Sequence, residues 1–366
     1  MTASSLLKSW QFVLVQGLHH EARMKRLHVA IAGVVSAFVF SSGVVSAQQA
    51  GRVYRIGWLA VGSPGYVSPP IEKWAYASAA PFRDSLRDAG YVAGNNLLVD
   101  RRHANGDFGQ LATVAEALVA SGVDALVGEG TPPTIALMQA TRSIPIIFLG
   151  VGFPVEMGIV ASLAAPGGNV TGTALTVARQ KQWQFLREIA PTVRRAGYLA
   201  SAANRPADEQ YAPYRASMLE TVKAEAAAAG IEPIRMGIFG LSDIEPLLIE
   251  LARRGDAGVV LSGDLILLDR QWLPSIVDVA VRLRLPTSCT GDGEWAKWGC
   301  LVTYAEDWGV RSVASQIAKV LNGTKPGDIP IAQSTGQRLI VNSKTAKALN
   351  LAIPPAMLSR ADELIE

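Results

Sequence analysis

Short β-branched and apolar runs alternate with helical stretches along most of the chain, and this alternation limits the fold more than any other feature. Ten runs read as strands: Tyr54–Ala60, Asn96–Arg102, Asp124–Glu129, Ile144–Gly150, Asn169–Ala174, Ala196–Ser201, Pro233–Ile238, Gly258–Gly263, Cys300–Ala305 and Arg338–Asn342. Several are apolar through most of their length, as in Ile144-Pro-Ile-Ile-Phe-Leu149, which suits strands covered on both faces and hence a parallel sheet. The helices between them have legible ends. Gly90, Gly122 and Gly230 each follow a helical run and suit the left-handed position after its last turn. Ser242 with Glu245 reads as a capping box, and Thr131 before Pro132 as an N-cap with proline at the first helical position.

Strand, helix, strand repeated in this way predicts doubly wound α/β structure. Ten strands are too many for one comfortable open sheet, and 366 residues suffice for two globular units. The Pro/Gly-rich segment Ala165-Pro-Gly-Gly-Asn-Val-Thr-Gly172 divides the series near its middle, and Asn322–Pro330 precedes a final strand and helix. The expectation is two Rossmann-like lobes joined by a hinge.

The start of the chain has a different character. Lys25 and Arg26 precede an apolar stretch from Val29 to Phe40, and small residues then lead to Val45-Ser-Ala47 before Gln48. A basic start, an apolar run and small side chains two apart make a secretory signal, with cleavage expected after Ala47 and residues 1–47 as leader. Met24, just before the basic pair, is the expected true start. A membrane span needs about 20 apolar residues, and Ser41, Ser42 and Gly43 interrupt this run. The leader also holds the charge excess. It carries Lys8, Arg23, Lys25 and Arg26 against Glu21 alone, so of 34 basic and 31 acidic residues the remainder keeps 30 of each. A balanced chain without a basic patch lacks the footprint of a nucleic-acid binder. With 49% hydrophobic residues it is no disordered tail either.

Catalytic equipment is sparse. His19, His20 and His28 fall in the leader, which leaves His103, in the polar turn Asp100-Arg-Arg-His-Ala-Asn-Gly106, as the one imidazole of the mature chain. HExxH, CxxC, GxSxG and P-loop spacings do not occur. Gly128-Glu-Gly-Thr-Pro-Pro133 begins like a dinucleotide fingerprint, but Pro133 occupies the third glycine position and no acidic residue follows at the expected distance. Neither a cofactor nor a metal is implied. Cys289 and Cys300 are the only cysteines. In an oxidising compartment they can close a short loop; otherwise they are two buried thiols acting as small hydrophobes.

Open α/β sheets bind ligands at the carboxyl ends of their strands. One such place is the helix start at Gly130, Thr131 and Pro132, where backbone N–H groups, a hydroxyl and the positive end of a helix dipole suit a small carboxylate. Three further turns leave strand ends: Val61-Gly-Ser-Pro-Gly65 with Ser63, Ala202-Ala-Asn-Arg-Pro206 with Asn204, and the turn after Gly263 with Asp264, which can pair with a ligand ammonium or cap a helix. Trp295, Trp298 and Tyr304 around Cys300 offer a stacking wall or plain core packing. None of these forms a nucleophile with an adjacent base, so they describe recognition rather than reaction.

Long stretches of the chain carry a resemblance. Phe82-Arg-Asp-Ser-Leu-Arg-Asp-Ala-Gly-Tyr-Val-Ala-Gly-Asn-Asn-Leu97, Thr141-Arg-Ser-Ile-Pro-Ile-Ile147, Gly158–Gly172 and the ending Asn342–Glu363 resemble, in order, the substrate-binding proteins of ABC transporters that include tryptophan- and tyrosine-type periplasmic binding proteins. The resemblance implies a type I periplasmic-binding fold whose chain crosses between lobes three times, with lobe one at 52–170 plus 290–327 and lobe two at 171–289 plus 328–366. It implies an amino acid or similar solute seated between the Gly130–Thr131 helix start and the turns of the second lobe. It also implies a membrane permease with a cytoplasmic ATPase as partners, a periplasmic location and a monomer. One departure stands out. Phe153 occupies the place where the family pattern has a carboxylate, which leaves room for a less polar aromatic acid. Other readings are a module feeding a sensor or chemoreceptor, and an exported hydrolase or lyase using Asp264 or Glu294 as base.

Overall fold

The computed structural model describes residues 51–62, 79–175, 178–201, 212–238, 241–261, 273–291, 294–306, 309–333 and 336–366. The leader, Ser63, Asn204 and Asp264 lie outside the described residues. All ten expected strands are present, displaced by two residues or fewer where both ends are described. They are β1 (Tyr54–Ala60), β2 (Leu97–His103), β3 (Ala125–Glu129), β4 (Ile146–Gly152), β5 (Val170–Leu175), β6 (Arg195–Ser201), β7 (Glu232–Ile238), β8 (Ala257–Leu261), β10 (Val302–Glu306) and β12 (Gln337–Asn342). Three more strands appear: β9 (Thr287–Gly291), β11 (Ala332–Gln333) and β13 (Glu363–Ile365).

The strands form two sheets. The first has the order β11-β5-β4-β3-β1-β2 and its pairs are parallel. The second has the order β13-β12-β10-β9-β8-β6-β7 and is parallel except where β12 runs antiparallel to β10.

Each sheet is covered on both faces, as near-continuous apolar strands require. On the first sheet, α1 (Ala79–Asp88) supplies Phe82 and Leu86 to one face. The opposite face packs α2 (Leu111–Ala120) and α3 (Thr131–Ala140), through Leu111, Leu118 and Leu137. On the second sheet, α4 (Ala178–Ile189) and α5 (Ala212–Ala228) cover one face through Trp183, Leu186 and Val222. The other face takes α6 (Ile244–Arg253), α7 (Leu273–Arg282) and the short α8 (Glu294–Lys297), through Leu248, Ile276 and Trp295. Helix α9 (Val310–Leu321) returns to the first sheet, beside α1. The chain ends with α10 (Ser343–Ala348) and α11 (Pro355–Leu358) on the second.

The ladders relocate all three expected crossings. Residues 171–175 belong to β5, which pairs with β4, so the first crossing follows Leu175 instead of residue 170. Strand β10 pairs with β9 and β12, so residues 290–306 stay with the second sheet and the return comes after Glu306 instead of at 290. The reason is hydrogen-bond satisfaction: a buried strand must spend its N–H and C=O groups on its neighbours, and these neighbours lie in the sheets named. Strand β11 pairs with β5, so residues 328–333 stay with the first sheet and the third crossing follows Gln333 instead of coming at 328.

Local signals held at the helix ends marked by Gly90, Gly122 and Gly230, all of which have positive φ. The capping box did not form. Ser242 lies in a 3-10 turn, and the N-cap of α6 is Asp243, without a side-chain cap bond. Cys289 and Cys300 are joined in a disulfide within the fully buried core of the second sheet. Among the described residues, no helix is long and apolar enough to cross a membrane.

Candidate functional site

The carboxyl edge of the first sheet is where described residues converge. Strand β3 ends at Glu129, Gly130 follows with φ 85 and ψ −178, and α3 starts at Thr131. Gly130, not Thr131, is therefore the N-cap, because this backbone conformation lies in the region that favours glycine. Thr134 secures the turn: its hydroxyl donates to the Gly130 carbonyl at 2.6 Å.

The expected cradle of backbone donors is smaller than a helix start normally offers. The Gly130 N–H is spent on the Leu149 carbonyl at 2.8 Å, and the Thr134 N–H bonds back to Gly130. Pro132 and Pro133 have no N–H to give. Thr131, buried at the edge, is left as the residue of this turn whose N–H and hydroxyl can meet a ligand, with the helix dipole behind it.

Phe153 follows β4 at the same edge. It has φ 52 and is 48% exposed, the most exposed large hydrophobic among the described residues. A bulky side chain in the left-handed region is a genuine outlier, and such outliers concentrate at functional sites. Its carbonyl accepts from the Met157 N–H at 3.0 Å, within the turn that carries the half-exposed Val155.

Beside this edge lies a polar cluster that the sequence reading passed over. The register puts Trp58 of β1 opposite Arg101 of β2. Glu129 Oε2 accepts from the Trp58 indole N–H at 2.8 Å and from Arg101 at 2.6 Å. The Arg101 guanidinium lies 5.5 Å from the centre of the Trp58 ring, and Trp58 meets Phe82 edge-on. The Arg101 and Glu129 side chains keep only 9% and 21% exposure. A buried ion pair of this kind costs desolvation, which is tolerable only where hydrogen bonds complete it; the indole supplies one.

Two positions further along β2, His103 has both ring nitrogens shielded from solvent. Burial, helped by the charge of Arg101 and opposed by Glu129, lowers its pKa to about 4, so the ring is neutral near pH 7. The expectation of a surface turn for His103 gives way to a half-buried place in this cluster.

Among the described residues, the remaining candidates do not gather at this edge. Tyr304 packs against Phe185 with ring centroids 5.3 Å apart, and its hydroxyl donates to Gln337 at 2.7 Å, so the ring is part of the second sheet's core. Trp295 is likewise core. Glu294 opens α8, in the second lobe.

A family model described as ABC transporter substrate binding protein matches residues 69–365. A tyrosine-binding protein of Clostridioides difficile (strain R20291) is 27% identical over 274 residues, which are 74% of this chain and 75% of that relative. The crystal structure of the ABC domain in complex with L-Trp from Streptococcus pneumonia covers 86% of this chain and 100% of its own at 24% identity, with a TM-score of 0.67. A conserved domain protein from Vibrio cholerae O1 biovar El Tor aligns over the same shares at 25% identity, with a TM-score of 0.69. The two lobes described above have the type I periplasmic-binding-protein fold.

Proposed function

Because the chain belongs to the family of ABC transporter substrate-binding proteins, we propose that it is an extracytoplasmic receptor that captures a small aromatic solute between its lobes and delivers it to a membrane permease driven by a cytoplasmic ATPase. The family match over residues 69–365 carries this reading. The geometry supports an aromatic ligand. Phe153 holds an exposed ring at the strand ends where α/β sheets take ligands, and Thr131 offers an N–H and a hydroxyl nearby in sequence to the end of β3. Tyrosine and tryptophan, the ligands named for two of its relatives, are aromatic amino acids. Its role is binding, and the leader at residues 1–47 directs its export as a monomer.

Thermal unfolding of the mature chain with L-tryptophan, L-tyrosine, L-phenylalanine, phenylacetate and indole-3-propionate tests the reading. A ligand at 100 times its dissociation constant adds about 2.7 kcal/mol of stability. A well-folded sample that responds to none of these aromatic solutes overturns it. Stimulation of the cognate permease's ATPase in vesicles by the liganded protein tests the transport step, and cell fractionation tests the export.

A further inference from the structure

The cluster at the end of β3 leaves one carboxylate oxygen of Glu129 unbonded by the described residues. Glu129 Oε2 is taken by Trp58 and Arg101. Oε1 accepts from none of the described residues, and the Glu129 side chain keeps 21% exposure. A carboxylate has room for about four hydrogen bonds, and two are placed on one oxygen. The two donors that fix it are rigid: the indole belongs to a residue only 2% exposed, and the guanidinium lies against that same indole. Glu129 thus presents a pre-oriented acceptor edge one residue before the Gly130 turn and two before Thr131.

We propose that Glu129 is a specificity-determining ligand contact and that its Oε1 accepts a hydrogen bond from a protonated amine of the solute. This rests on the receptor reading above and narrows it to amine-bearing aromatic solutes, with amino acids as the fitting class. The charges explain the choice. Arg101 is too enclosed to meet a ligand carboxylate, so the group exposed at this point is the negative one. A ligand carboxylate is repelled there and finds instead the N–H, hydroxyl and helix dipole at Thr131. An ammonium a few ångströms away from that carboxylate finds Glu129. Phe153 supplies no charge where the family resemblance led to the expectation of a carboxylate contact, and Glu129 stands at the end of β3, the strand paired with the β4 that precedes Phe153. Trp58 and Arg101 are positioning residues, acting through Glu129.

Two probes with the same ring and carboxylate, L-tryptophan with the amine and indole-3-propionate without it, separate the outcomes by titration calorimetry. Wild type binds L-tryptophan at least tenfold more tightly than indole-3-propionate. Glu129→Gln weakens L-tryptophan at least tenfold and leaves indole-3-propionate within about twofold. Since Glu129→Gln leaves Arg101 buried beside a neutral amide, the double variant Arg101→Gln/Glu129→Gln, which removes both charges together, is measured as well and shows the same selective loss. Equal loss of both probes in both variants, or undiminished binding of L-tryptophan, overturns the proposal while leaving the receptor reading intact. Wild type that binds indole-3-propionate as tightly as L-tryptophan also overturns it. Wild type that binds neither, nor any other of the aromatic solutes, overturns the receptor reading and this inference with it.

Discussion

Gly309 stands so close to Thr173 that a Cβ placed on it would lie 2.8 Å from the Thr173 Cγ2. Gly309 is the N-cap of α9, with φ 73, at the point where the chain returns to the first sheet; Thr173 is in β5, the strand from which it first leaves. The Thr173 hydroxyl also accepts from the Gly150 N–H at 3.1 Å. The backbone of the arriving segment is therefore pressed against a side chain of the departing strand. Gly309→Ala adds a steric overlap to a left-handed backbone that costs an L-residue about 1–2 kcal/mol, and it should lower the urea midpoint accordingly. Adding Thr173→Ser, which removes Cγ2 and keeps the hydroxyl, restores the overlap share only. A Gly309→Ala protein as stable as wild type contradicts this.

Gln316 of α9 is buried and its amide donates to the Gly172 carbonyl at 2.9 Å and to the Pro330 carbonyl at 3.2 Å. One side chain thus binds the lobe-one roots of all three crossings: β5 before the first, α9 after the second, and the segment leading to β11 before the third. Gln316→Leu keeps the bulk but strands two carbonyls, at about 1–3 kcal/mol for a buried group left unsatisfied. Chemical denaturation measures it, and a change within 0.3 kcal/mol of zero refutes the role.

The Cys289–Cys300 disulfide closes a loop of 11 residues in sequence separation. The chain-entropy estimate for such a loop is about 3 kcal/mol. Urea unfolding with and without reductant, and of Cys289→Ala/Cys300→Ala, should show a loss of that order. Identical midpoints under oxidising and reducing conditions rule it out.

His103 makes a pH prediction with a definite sign. Its folded pKa of about 4 lies below the ordinary 6.5, so the unfolded chain binds the extra proton first as pH falls. Its contribution to stability is complete above about pH 6.5 and is lost progressively as pH falls toward 4. Unfolding midpoints of wild type and His103→Gln across pH 4–7 isolate this from carboxylate titration common to both. The wild-type curve should fall more steeply through that window; parallel curves exclude the effect.

Phe153 sets strain against binding. Phe153→Gly releases a left-handed backbone worth about 1 kcal/mol and removes a ring that is 48% exposed and so contributes little burial. The variant should be at least as stable as wild type by thermal unfolding, while calorimetry should show weaker affinity for whichever aromatic solute binds. Unchanged affinity removes Phe153 from the site.

Of the expected site, the sequence made legible the turn at Gly130–Thr131 and not its hydrogen-bond donors. Gly130–Thr131 announced a helix start after a strand, yet the local words could not show that the Gly130 N–H is consumed by Leu149 on the neighbouring strand. Tyr304 looked like a binding aromatic because its neighbours in sequence are aromatic and small, whereas its neighbours in space are Phe185 and Gln337. Strand β9 escaped notice because Thr287 and Ser288 are polar; both are buried, and the Thr287 hydroxyl accepts from the Leu301 N–H across the turn. Its right to the core is earned by hydrogen bonds, which hydropathy does not register.

By itself the sequence determined the order of ten strands and the two-sheet α/β class, because apolar runs, helix-ending glycines and turn residues act over a few positions. The tertiary structure alone decided which sheet takes β5 and β10, that β12 turns antiparallel, and that Glu129 is held by Trp58 and Arg101, 71 and 28 positions away. Those outcomes depend on ladders and charge pairs between distant segments, whose partners exist only once the sheets have assembled.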